Sequence, residues 1–290
     1  MDNSATIFLA LSLIVIMTGM GLSLTLGDFK RVLQNPKAVL VGFLNQIILL
    51  PLLAFLLIQF FEVNANLAMG VLILSACPGG PTSNLLSHLA KADTALSVTL
   101  TAVNSVVTII TIPLIVNFGL AEFFPDATEI SAPIGSIIGS LIAVIAIPLT
   151  LGMLINHYKK DIAVKMDRPV RVGSVVILVV IIVGLVIKEK ETILQHVAAS
   201  IGIVITLNVL TMLVGFISAK MSGLNFKQAL TITLESGNQN GTLAISVAMG
   251  SLGKVDFAIA GAVYSLIMYF TAAVPIWIGI KANQKSNHAN

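Results

Sequence analysis

Charge is scarce in this 290-residue chain: 10% of its residues are Asp, Glu, Lys or Arg, against 57% that are hydrophobic. A soluble domain carries about 25% charged residues. The apolar surplus therefore excludes an ordinary water-soluble fold and points to lipid as the surrounding solvent. Cysteine is almost absent, and the single Cys77 excludes an internal disulfide and any multi-cysteine metal site. His88, His157, His196 and His288 are scattered, mostly at segment ends, so no zinc or haem site is suggested. No glycine-rich phosphate loop follows a strand, which argues against ATP coupling within the chain. The apolar stretches are too long and too aliphatic for barrel strands with a polar lumen face. The first of them, Ala5 to Leu26, has no basic start and no small-residue cleavage site, and reads as a mature span rather than a signal peptide.

A bilayer-crossing helix needs about 20 mostly apolar residues. Nine such segments are expected, at roughly 5–26, 37–61, 67–90, 94–118, 131–156, 170–187, 196–219, 227–252 and 256–280. Asp28 to Asn35 is a short polar turn, and Pro36 suits a helix start because its missing N–H costs nothing there. With the N-terminus outside, the inner loops and tail hold 13 of the 16 basic residues, among them Lys30, Arg31, Lys37, Lys159, Lys160 and Lys220. The outer side keeps only Lys188, Lys190 and Lys254, and carries most of the acids: Glu62, Glu122, Asp126, Glu129, Glu189, Glu191 and Asp256. This bias predicts an N-out, C-in chain. The segment from Asp161 to Arg171 reads as the longest inner loop and as the joint between two halves.

Two of the apolar segments are interrupted. The first carries Cys77-Pro78-Gly79-Gly80-Pro81-Thr82-Ser83-Asn84. Two prolines remove backbone donors and two glycines loosen the chain between them, so a helix cannot run through. Freed backbone groups in a membrane need protein, water or ions as partners. Thr82, Ser83 and Asn84 are expected to cap a restarting helix, whose N-terminus attracts anions. A lone proline in a span is commonly a packing kink; four breakers followed by three polar residues argue for more.

The second interruption is Glu235-Ser236-Gly237-Asn238-Gln239-Asn240-Gly241, with the break expected at Gly237. Glu235 is the one acid deep in an apolar segment, at a cost of about 2.5–3.5 kcal/mol on insertion scales. Carboxylate, carboxamide and carbonyl oxygens are hard ligands suited to Na⁺. Asn240 lies 156 positions after Asn84, and a shift of that size overlays the second to fourth spans on the seventh to ninth. Three spans are an odd unit, so the two copies must be inverted. Interrupted segments at matching places in two halves point to a transporter site.

Further polar residues join these. Ser97 and Thr101 share a helix face in the fourth span, with Asn104 and Ser105 one turn on. Asn45 and Gln46 lie in the second span, and Thr206 and Asn208 in the seventh. Isolated Ser or Thr in a span commonly bonds back to its own helix. Gln46 is harder to set aside, since its amide needs several partners.

The paired runs, Cys77-Pro78-Gly79-Gly80 with Ser83-Asn84 and Glu235 to Asn240, resemble those of the bile acid:sodium symporter family, and the similarity extends from Gly19-Met20-Gly21 to the last span. The resemblance implies an all-α integral membrane protein whose nine transmembrane helices form an inverted repeat with two broken, crossing helices. Some family members have a further span before the first. It implies one transmembrane domain over 1–290, with panel helices at about 5–26, 131–156 and 170–187 and core helices at about 37–118 and 196–280. It also implies two Na⁺ as co-substrates. Ser83, Asn84, Ser97, Thr101 and Glu235 match a first sodium site. Gln46, Glu235 and Gln239, with backbone oxygens of Ser236 and Asn238, match a second. Thr82, Asn240 and Gly241, beside the helix restarts, are the substrate candidates.

The function expected from this is sodium-coupled symport of an organic anion across a cell or inner membrane by alternating access. The anion would be bile-acid-like or a small carboxylate such as pantoate or a 2-oxo acid. Sodium, the anion and the bilayer are the expected partners, and nucleic acid is not. No Lys or Arg sits mid-span, so dipoles, amides and hydroxyls would bind the anion. A second reading is a proton-coupled or arsenite-type efflux carrier, with Glu235 carrying the proton and Cys77 beside a break. An intramembrane enzyme is the remaining class; the chain offers no second acid, nucleophile with base, or metal cluster for one.

Overall fold

The computed structural model describes residues 3–125, 134–188 and 190–288. Asp126, Glu129, Glu189 and residues 131–133 of the expected fifth span lie outside them, as do the side chains of Arg168, Arg171, Lys188, Lys190, Glu191, His196 and His288. The described residues are helical almost throughout and contain no strand.

The chain runs through α1 (Asn3–Leu22), α2 (Leu26–Gln34), α3 (Pro36–Phe61), α4 (Ala65–Ala76), α5 (Pro81–Leu89) and α6 (Thr94–Phe123). It continues through α7 (Ile134–Tyr158), α8 (Lys160–Lys188), α9 (Lys190–Met221), α10 (Phe226–Gly237), α11 (Gly241–Ser251) and α12 (Ala258–His288). Among the described residues, five helices are long and apolar enough to cross a bilayer, six if the bent pair α1–α2 is one span. Apolar residues cover them on all sides, the mark of a helix immersed in lipid. On α3, Leu40, Leu44, Ile48, Leu52, Leu56 and Phe60 form an exposed row at four-residue spacing. Val106, Ile110, Leu114 and Phe118 repeat the pattern on α6. In water such rows would be an aggregation liability; in a bilayer they meet acyl chains.

Inside, α1 packs on α7 along a seam of small residues. A methyl added to Gly152 would lie 2.1 Å from the Thr18 carbonyl oxygen, so only a glycine permits this approach. Among the described residues, three helices contain a π turn, at Asn45–Leu49, Ile142–Ala146 and Val247–Ser251. In the first two, a proline follows at Pro51 or Pro148 and removes a donor from the ladder, which widens the turn before it. Gln46 sits in the first of these turns.

Several boundaries differ from expectation. The first span is not continuous to Leu26: the chain turns by 62° between α1 and α2, where Asp28 accepts from the Thr25 amide in a capping box and pairs with Arg31. The stretch from Asp161 to Arg171 is not a loop but the first turns of α8, which runs on through its charges and through Pro169.

Candidate ion and substrate site

The interruption of the third apolar segment is a four-residue gap, Cys77 to Gly80, between α4 and α5. That of the eighth is the gap Asn238 to Asn240 between α10 and α11. Gly237, expected to be the break, is instead the last helical residue, and the chain extends at Asn238 (φ −116°, ψ 107°). The two gaps lie side by side and run antiparallel. Gly79 pairs with Gln239, and the Asn240 amide donates to the Pro78 carbonyl at 2.9 Å. Backbone groups freed in one half are thus satisfied by the other.

Glu235, in the last turn of α10, is 3% exposed. Ser97 Oγ of α6 donates to its carboxylate, and Thr101 Oγ1 lies 3.2 and 3.1 Å from the two oxygens. The same hydroxyls reach Asn84 Oδ1 of α5, at 2.8 Å from Ser97 and 3.3 Å from Thr101. Ser83 Oγ is 3.4 Å from Thr101 Oγ1, while its own proton goes to the Gly80 carbonyl. The structure therefore gathers Ser83, Asn84, Ser97, Thr101 and Glu235 into one knot of oxygens. Its electrostatics are unbalanced. Two hydroxyl protons, from Ser97 and Thr101, serve three acceptor oxygens on Glu235 and Asn84. The one ion pair among the described residues, Arg31–Asp28, lies elsewhere. A buried carboxylate without a cationic partner is a high-energy arrangement.

The remaining ion candidates form a neighbouring knot. Gln46 Nε2 donates to Gln239 Oε1 and to the Cys77 carbonyl, each at 2.7 Å, and Gln239 Nε2 donates to the Ser236 carbonyl at 2.9 Å. Asn238 Nδ2 turns back to the Leu234 carbonyl. No hydrogen bond joins Gln46 or Gln239 to Glu235 among the described residues. These oxygens are close but already engaged with one another.

Thr82, Ser83 and Asn84 do not cap α5. Its N-cap is Gly80, without a side-chain cap, and the three residues lie inside the first turn, which begins at Pro81. Gly80, Thr82, Asn240 and Gly241 instead line a cleft of about 30 Å³, closed by Ile16 of α1, Ser174 and Leu178 of α8, and Tyr269 of α12. Asn240 Oδ1 caps α11 through the Leu243 amide, and its amide nitrogen has no partner among the described residues. Cys77 points elsewhere: its thiol donates to the Ile73 carbonyl of its own helix.

Other polar residues divide as physical chemistry suggests. Thr206 and Ser105 bond back to their helices. Asn45 donates to the Val41 carbonyl and Ser218. Asn208, by contrast, reaches the broken segment, donating to the Gly237 carbonyl at 2.7 Å. Tyr264, Tyr269, Ser174 and Thr242 also belong to this centre and escape the sequence reading. A signal existed for two of them: Tyr264 and Tyr269 are two of only three tyrosines, set together in one apolar segment.

Paired helix gaps enclosing a buried carboxylate define a multi-pass helical membrane protein with an oxygen-rich centre buried among its helices. Comparison with known sequences agrees with that class. The profile of the sodium bile acid symporter family matches residues 10–196. The chain is 30% identical over 261 residues to an uncharacterized sodium-dependent transporter, YocS, of Bacillus subtilis, covering 90% of this chain and 78% of that one. It is 29% identical to a probable chloroplastic sodium/metabolite cotransporter of Arabidopsis thaliana, over 88% of this chain and 62% of the longer plant protein. It is 27% identical to the human ileal sodium/bile acid cotransporter, over 97% of this chain and 80% of that one. The chain belongs to the sodium bile acid symporter family.

Proposed function

We propose that the protein is a sodium-coupled symporter of an organic anion. One observation carries this reading: the knot of Ser83, Asn84, Ser97, Thr101 and Glu235 holds more oxygen acceptors than protons and no cationic side chain. A cation of hard-ligand preference supplies the missing positive charge. Sodium-dependent relatives support Na⁺ as that cation. The Gln46–Gln239 knot, with Glu235 and the carbonyls of Ser236 and Asn238, is the proposed second site, which forms when the two amides rotate their oxygens inward.

The anion would bind where the first turns of α5 and α11 meet the cleft. Thr82, Asn240, Gly241 and Tyr269 line it, and the Asn240 amide nitrogen is free to donate. At about 30 Å³ the cleft admits little more than water, whereas ligand pockets run to roughly 300–1,000 Å³. It lies on a seam between α1, α7 and α8 and the remaining helices. On the side of the basic loops the seam widens to about 830 Å³, lined by Phe29, Val106, Leu149 and Met153 with Lys160 among the polar residues. On the opposite side, between α1, α7 and α11, it holds about 210 Å³. This supports a panel of α1, α7 and α8 moving against a core of the other helices, in a chain of nine spans, N-out and C-in, built as an inverted repeat in a cell or inner membrane. The wide inner side is an exit vestibule whose apolar walls suit an amphipathic or small carboxylate. Sodium must favour the substrate-competent state, or the two fluxes would not be linked.

Uptake of labelled organic acids into proteoliposomes tests the proposal, with a Na⁺ gradient replaced in parallel by K⁺ or choline. Uptake is expected only with Na⁺, and Glu235→Gln and Gln239→Ala are expected to abolish it while the protein stays folded. Normal uptake by both variants sinks the assignment. A proton on Glu235 would also relieve the excess of acceptors, so uptake or efflux driven by a pH gradient in K⁺ is the outcome that favours proton coupling. The turn of the Cys77 thiol into its own helix removes support from an arsenite-type role.

A further inference from the structure

The last turn of α10 leaves carbonyls without helical partners. Those of Leu234 and Ser236 each accept one side-chain donor from the chain just beyond. The Gly237 carbonyl is treated differently. It accepts two donors from two other helices: Asn208 Nδ2 of α9 at 2.7 Å and Tyr264 OH of α12 at 3.0 Å. Both side chains are fully buried. Satisfying a buried carbonyl takes one donor. Holding Asn208 here also strands its own Oδ1, which is buried and has no partner among the described residues. An orphaned acceptor is destabilising, so this arrangement is not the one that stability alone would select.

Backbone geometry says what the pair of donors controls. Asn238 is extended, and in extended chain successive carbonyls point to opposite sides. With the Gly237 oxygen held toward α9 and α12, the Asn238 oxygen faces the other way. It does: a methyl built on Gly79 would lie 3.5 Å from the Asn238 oxygen and 2.6 Å from Glu235 Oε2, so both oxygens look onto Gly79. We infer that Asn208 and Tyr264 are positioning residues that, by fixing the Gly237 carbonyl, aim the Asn238 carbonyl at the cation site beside Glu235. The inference rests on the sodium reading above, and it adds two residues that touch neither ion nor substrate.

The test uses the full-length protein in detergent without substrate. Melting temperature is followed while Na⁺ replaces K⁺ at constant ionic strength, which gives a half-saturating Na⁺ concentration and a sodium-free stability from one titration. Tyr264→Phe and Asn208→Leu each raise the half-saturating concentration, by about fivefold to tenfold for one lost hydrogen bond. Thr206→Val is the control: Thr206 lies on the same helix but bonds the Gly202 carbonyl, not that of Gly237, and its removal leaves the Na⁺ midpoint in place. A purely structural role would lower melting in K⁺ and Na⁺ alike and leave the midpoint within twofold of the parent, which overturns the inference. Should Asn208→Leu not fold, Tyr264→Phe, which removes a single oxygen, decides. A parent protein whose melting ignores Na⁺ overturns the sodium reading and this inference together, whereas a responsive parent with unresponsive variants overturns only the latter.

Discussion

Gly79 is the residue against which the carboxylate rests. A methyl there would stand 2.6 Å from Glu235 Oε2, closer than real Cβ contacts come. Gly79→Ala is therefore expected to displace the carboxylate and remove the Na⁺-dependent rise in melting temperature, with a smaller loss of melting in K⁺; equal losses in both salts would show that Gly79 serves packing alone. The two hydroxyls at Glu235 give a graded version of the same experiment. Ser97→Ala and Thr101→Val each remove one proton and one ligand, and each should raise the half-saturating Na⁺ concentration of uptake. At this scale the sequence was informative where polarity is anomalous. Glu235, Gln46 and the Ser83–Asn84 pair stand out because lipid-immersed helices have no use for them. It was silent where chemistry is ambiguous: nothing in the residue types tells that Thr206 bonds to its own helix while Asn208, two residues on, crosses to Gly237.

At the scale of the element, breaks written in proline and glycine were legible, and breaks made by geometry were not. Pro78, Gly79, Gly80 and Pro81 stop a helix by removing donors and side chains. The bend between α1 and α2 lacks any such signature, since Ser23, Leu24 and Thr25 sit in an apolar run and the turn is set by the Thr25–Asp28 cap. The exact end of α10 depended on where Asn238 finds the Leu234 carbonyl, a local competition that composition does not rank. The caps lend themselves to measurement. Asn225 and Gln228 form a reciprocal box at the start of α10, so Asn225→Ala should cost about 1 kcal/mol. A lower melting temperature with an unchanged Na⁺ midpoint is the expected signature. Gly152→Val attacks another element contact. Its side chain would collide with the Thr18 carbonyl, prise α1 from α7 and lower melting well beyond the cap variant.

For the whole molecule, the three openings along the seam make a statement about access. In a Cys77→Ala background, Met153→Cys lies in the wide vestibule and Ala10→Cys in the opposite cleft. Met153→Cys should react with a membrane-impermeant maleimide from the cytoplasmic face and Ala10→Cys from the other, and Na⁺ with transported anion should move the two rates in opposite directions. Labelling of Met153→Cys from outside would reverse the proposed orientation. The antiparallel contact between the two gaps bears on biosynthesis as well. A ribosome delivers Pro78 to the membrane long before Asn240, whose amide its carbonyl accepts. Until the last quarter of the chain is inserted, the first gap has no backbone partner and the hydroxyls of Ser97 and Thr101 have no carboxylate. A nascent chain halted before α10 is thus chemically marked as unfinished, and a premature stop codon should yield a protein that membrane quality control removes rather than a leak.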